Sequence, residues 1–168
     1  MTTFNPTLAQ RLSALDEHVH YEISQLIQSN VSTGNQGIDN ALLESALVHM
    51  RALLDFFEHS KRSRFHNTEM DDVLSLDYYF PAEKIALPEL YRQKLNKDLA
   101  HITYSRGKRS ISDKNWPNDQ VFPPMLNRCQ EFIEFLITNF LKTHSELSIP
   151  TWQALLCEVK KCQSKYIS

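Results

Sequence analysis

The chain has 168 residues, 42% of them hydrophobic, and its 18 basic and 20 acidic side chains leave a net charge of −2. That length suits one domain, 1–168, which buries roughly 70% of its unfolded surface without needing a disulfide or a metal. A balance so near neutral excludes a protein that coats nucleic acid by bulk charge, though it leaves room for a local basic site.

The first helix is expected from about Thr7 to Gln28. Leu8, Leu12, Leu15, Val19, Ile23 and Leu26 recur every three or four residues, the spacing of a narrow apolar stripe. Thr7, after Pro6, is the expected N-cap. The stretch NVSTGNQG, rich in turn formers, closes that helix. The second helix is expected from Asp39 as N-cap to about His59, and it is apolar on two adjacent rows. One row holds Leu43, Leu47, Met50, Leu54 and Phe57, and the next holds Leu42, Ala46, His49, Leu53 and Phe56. An arc that wide belongs to the most central element.

Ser60 to Leu87 is less regular. Lys61, Arg62 and Arg64 open it, and DDVLSLDYYF is apolar enough to fold back on a bundle, with one helical turn expected near Asp71 to Leu76. A connection of that length is unusual in a compact domain. The third helix is expected from near Pro88 to about Ser105, with Tyr91, Leu95, Leu99 and Ile102 inward and Arg106 in register one turn later. Gly107 stops it. The fourth is expected from Pro124 to Thr143, on Met125, Cys129, Phe132, Leu136 and Phe140. The last follows Pro150, with Trp152, Leu155, Leu156, Val159 and Cys162 inward. The expected fold class is therefore all-α: an antiparallel bundle of four long helices plus a C-terminal helix, with a long crossover after the second. The three glycines all fall in expected loops, which fits helices throughout.

Cys129, Cys157 and Cys162 form neither a CxxC pair nor an even framework, so they read as reduced packing residues. The opening MTTFNPTLAQR lacks the basic-then-apolar pattern of a signal peptide. No apolar run reaches the roughly 18 to 20 residues of a membrane span. The expectation is a cytoplasmic protein without a membrane partner.

Three departures from the apolar pattern carry the chemistry, since a buried polar group is costly unless it is paired. His49 lies inside the central helix, near Arg51 and Asp55, which stand four apart and can pair along it. Asn96 and His101 lie on the third helix, five residues and so roughly 140° apart. Arg106 shares the stripe of Leu99 and Ile102 and must find an acceptor or reach out to solvent. Seven histidines are present, yet none stands in a HExxH pair, and a glycine loop to cradle phosphate cannot be built from Gly34, Gly37 and Gly107. No metal and no cofactor is expected.

The second helix (ESALVHMRALLDFF), the stretch DDVLSLDYYF and the third helix (LNKDLAHITYSR) together resemble the HEPN-like bacterial helical bundles. The nearest branch holds uncharacterised and abortive-infection-type members, and the likeness covers roughly 40–141. The resemblance implies a helical bundle, commonly a homodimer. Many members are metal-independent RNA-cleaving toxins, paired with antitoxins, or phage-defence proteins. Their site has an arginine, four to six intervening residues and a histidine, often with a polar residue directly after the arginine. His101 matches the histidine and Asn96 the polar residue, while Leu95 stands at the arginine's position.

Two functions follow as expectations. In the first, the protein is a metal-independent endoribonuclease. His101 is its general acid or base, Arg106 (with Arg51) stabilises phosphorane charge, Asn96 orients the phosphate or the imidazole, and His49 and Asp55 support the site. In the second, it is a non-catalytic helical module that binds a partner protein or a nucleotide. There Asn96, His101, Arg106, His49 and Asp55 form a buried network that fixes helix register.

Overall fold

The computed structural model describes residues 4–62, 71–97, 99 and 116–167. Helices and irregular segments make up these residues, and none of them is in a strand. The first helix, α1, is continuous through three parts: Leu8–Ala14, a π-helical turn at Leu15–Val19, and His20–Gln28. Thr7 caps it, accepting from the Gln10 amide while the Gln10 side chain accepts from the Thr7 amide. Leu15, Val19, Ile23 and Leu26 are buried as the stripe requires, whereas Leu8 at its start stays exposed.

Helix α2 spans Gln36–Glu58. It begins ahead of the expected Asp39 because Asn35 is the cap, its side chain accepting from the Gly37 and Ile38 amides. Asp39 instead reaches back to the loop, where it accepts from the Thr33 amide and from the Thr33 and Ser32 hydroxyls. These bonds hold its carboxyl below the usual carboxylate range. Both apolar rows are used: Ala46, Leu47, Met50, Leu53, Leu54, Phe56 and Phe57 are all buried.

Helix α3 spans Glu89–Lys97. Helix α4 runs as Asn118–Phe135, a π-helical stretch Leu136–Leu141, and Lys142–His144. It starts six residues before the expected Pro124, so Pro123 and Pro124 lie inside it rather than at its start. Burial of Val121 and Phe122, both 0% exposed, explains this. Each is worth roughly 1.5–3 kcal/mol, enough to offset the amide bonds that two prolines near a helix start forgo. Helix α5 spans Ile149–Gln163, with Pro150 in its first turn and Trp152, Leu155, Val159 and Cys162 buried. Of the cysteines, Cys129 and Cys162 pack inside and Cys157 is exposed.

The closest pairings are α1 with α2, α4 with α5, and the second half of α1 with α5. At the last seam Trp152 Nε1 donates to Asp16 Oδ1 at 3.1 Å, and His20 meets the Trp152 ring edge-on at 5.3 Å. Helices α2 and α4 meet through rings, with Phe56 and Phe57 packed edge-on against Phe132. One hydrophobic cluster joins residues of all five helices with Tyr78, Phe80, Ile85 and Leu87 of the α2–α3 connection.

From 71 onward that connection is a packed layer of the molecule. Its short 3₁₀ turn falls at Ser75–Tyr78, a few residues later than expected, and Tyr79 leaves it in the left-handed region at φ 63°. Irregular backbone laid on a core has few internal hydrogen bonds, so its carbonyls need donors from elsewhere. Arginines supply them. Arg62 Nε donates to Asp72 O at 2.8 Å and Arg11 Nη1 to Asp77 O at 3.1 Å. Arg128 donates to Pro81 O, and Arg92 to both Ile85 O and Leu87 O. Five carbonyls of one segment are thus held by four arginines, three from α1, α3 and α4 and one, Arg62, from the start of the connection itself.

Candidate functional site

Helix α3 owes its place to three side chains. Leu95 is 0% exposed and turns into the core. Arg92 forms a two-pronged ion pair with Glu58 at the end of α2, with both contacts at 2.7 Å. Glu58 Oε1 also accepts from the Ile85 amide at 2.7 Å. The planar guanidinium suits this role, because it meets one carboxylate and two carbonyls at once. Lys94, 2% exposed, lies 4.3 Å from the Trp116 ring centre and 5.5 Å from that of Tyr91. Tyr91 and Trp116 are themselves 6.1 Å apart, so the chain returns at Trp116 beside the turn from which α3 departs.

On this frame the expected residues separate. Asn96 is exposed on α3, next to the buried Leu95. His101 and Arg106 lie outside the described residues, and so does the expectation that Arg106 finds an acceptor. On α2, His49 Nδ1 lies 2.7 Å from Glu22 Oε2 of α1, and Tyr21 meets the imidazole edge-on at 5.6 Å. With 13% of the His49 side chain and 29% of Glu22 exposed, this is a half-buried pin between two helices.

Arg51 and Asp55 do not form the ion pair their spacing allows. Asp55 is instead 3.9 Å from His59, one turn further on. Desolvation raises the Asp55 carboxyl, while His59 and Arg51 pull it down. Its side chain is 63% exposed, so water screens most of this and little stability is at stake. No hydrogen bond or ion pair joins any two of Asn96, His49, Arg51 and Asp55. Among the described residues no three His, Cys, Asp or Glu side chains gather closely enough to hold a metal, and no helix is long and apolar enough to cross a membrane.

Compared with protein-family models, with curated proteins and with solved structures, the chain finds no match in any of the three.

Reading the sequence missed Arg92, Glu58 and Arg128 as organising residues. Arg128 is 8% exposed, with its guanidinium 4.3 Å from the Phe80 ring centre and bonded to Glu83 and Glu131. A signal was present: Arg92 precedes Leu95 by three and Leu99 by seven, and Arg128 sits three after Met125 and four before Phe132. An arginine in register with an apolar stripe needs an acceptor, the same argument that singled out Arg106.

Proposed function

We propose that this chain is a HEPN-like antiparallel helical bundle that works by binding a partner rather than by cutting RNA. The observation that carries the reading is Leu95. It stands where the resembling family has its arginine, and it is fully buried in the core. A cation at that position would face packed carbon, so the arginine has no place here without rebuilding the seam of α3. His49 serves structure instead, committed to Glu22, and α3 is fixed by Arg92 and Glu58.

We assign the binding to the solvent side of α3 at Asn96, and the charge of the sequence that follows points to the kind of partner. From 97 to 114 the sequence has five basic residues (Lys97, Arg106, Lys108, Arg109, Lys114) against two acidic ones (Asp98, Asp113). A local net charge of +3 in a chain of net −2 fits a nucleotide, or an acidic surface such as an antitoxin protein. A homodimer would present two such surfaces.

A second reading has one feature in its favour: Asn96 is exposed beside Leu95, where a polar residue that orients a phosphate would stand. On that reading the protein is a metal-independent endoribonuclease of a toxin or phage-defence type. His101 acts as general acid or base and Arg106 stabilises the developing charge.

Labelled RNA incubated with the protein in EDTA separates the two. The binding reading predicts RNA that stays intact with wild type and with His101→Ala alike, and binding that weakens as salt rises. Cleavage in EDTA that His101→Ala abolishes would overturn it in favour of the nuclease.

A further inference from the structure

Away from α3, a cleft of about 230 Å³ opens between α1 and the α2–α3 connection, above the buried Tyr78. We propose that it binds a free aliphatic amino acid of the size of leucine. Arg11, Arg62, Asp71, Asp72 and Asp77 supply its charged walls. A second hollow of about 120 Å³, walled by Val19, Ala52, Leu53 and Phe56 and by Glu22, whose carboxylate is held by His49, adjoins it, because His18 and Val73 line both. His18 and Val19 belong to the π-helical turn of α1, a distortion often found at functional sites.

The charges select the ligand. Arg62 is neutralised by the Asp77 carboxylate, with Nη2 bonded to both its oxygens at 2.6 Å and Nε to the Asp72 carbonyl. Arg11 uses only Nη1, towards the Asp77 carbonyl and the Tyr79 hydroxyl, so its Nη2 donates to none of the described residues. The carboxylates of Asp71 and Asp72 are exposed and join no ion pair among the described residues. A simple anion would meet Arg11 but also the two aspartates, and a simple cation would leave the Arg11 fork unmatched. A zwitterion meets both, its carboxylate on Arg11 and its ammonium on Asp71 and Asp72. Its side chain then enters the apolar hollow. That hollow is smaller than the roughly 150 Å³ cavity that admits benzene, which suits a branched aliphatic group and excludes an indole. The proposal does not depend on what α3 binds.

Isothermal titration of the full chain tests it with four probes: L-leucine, 4-methylpentanoate, which lacks the amine, 3-methylbutylamine, which lacks the carboxylate, and L-tryptophan. Saturable leucine binding is expected, with each other probe weaker by roughly tenfold or more. Ala52→Leu, at an exposed position that lines the hollow, should weaken leucine binding about tenfold without changing the melting temperature. Asp72→Asn should weaken it as well. The proposal is overturned if leucine gives no heat up to about 10 mM. It is equally overturned if the acid or the amine alone binds as tightly as leucine, or if Ala52→Leu leaves binding unchanged.

Discussion

His49 and His20 are both histidines of helix seams, and their surroundings give them opposite characters. His49 is fixed by Glu22 at 2.7 Å. A hydrogen bond to a charged partner in a half-buried place is worth about 1.5–3 kcal/mol, so His49→Ala should lower the unfolding free energy by about 2 kcal/mol in urea titration. His20 packs on Trp152, and burial pushes its pKa below 6.5, outweighing the upward pull of Asp16. The unfolded chain therefore binds a proton more readily than the folded one. The stability this neutral imidazole contributes is full above pH 6.5 and is lost as pH falls towards the lowered folded value. Urea midpoints should drop between pH 7.5 and pH 5.5, and His20→Asn should drop less over the same interval; an equal drop would place the pH dependence elsewhere.

At the scale of the element, caps and packing set the boundaries, and these were only partly legible in the sequence. Thr7 was, because a capping box has a fixed spacing. Asn35 was not, since Asp39 and Asn35 both cap well and only the loop bonds of Asp39 to Ser32 and Thr33 decide between them. Asn35→Ala should cost about 1 kcal/mol by leaving the Gly37 and Ile38 amides without their acceptor. The start of α4 was hidden for another reason. Two adjacent prolines signal a helix start, and the burial of Val121 and Phe122 that overrides them is a tertiary fact. Tyr79 shows a similar limit. A bulky residue in the left-handed region costs on the order of 1 kcal/mol or more, and nothing in its neighbours announces that conformation. Tyr79→Gly should leave the melting temperature unchanged or slightly raised, and Tyr79→Val should lower it.

Across the whole molecule, the all-helical class and the central place of α2 were readable, because periodicity reports which faces are buried. The α2–α3 connection was readable only as long and apolar. Its attachment depends on arginines that come from four places in the chain, and no local pattern pairs Arg92 with Glu58, 34 residues away. Arg92→Ala removes one partner of a mostly buried pair, orphans the Leu87 carbonyl and leaves that of Ile85 with the Leu87 amide as its donor. A loss of about 3 kcal/mol is expected, with faster hydrogen exchange at the Ile85 amide, which Glu58 then holds less firmly. Of the candidate residues that the structure describes, Asn96, His49, Arg51 and Asp55 were legible as polar side chains and not as an arrangement, because register on one helix does not say which residues on another will meet it. The central claim is that position 95 belongs to the core and has no room for the cation that the proposed likeness would put there. Urea unfolding of Leu95→Arg beside Leu95→Met tests it most directly. The account predicts a loss above about 4 kcal/mol for arginine and below about 1.5 kcal/mol for methionine. An arginine variant as stable as the wild type would contradict it.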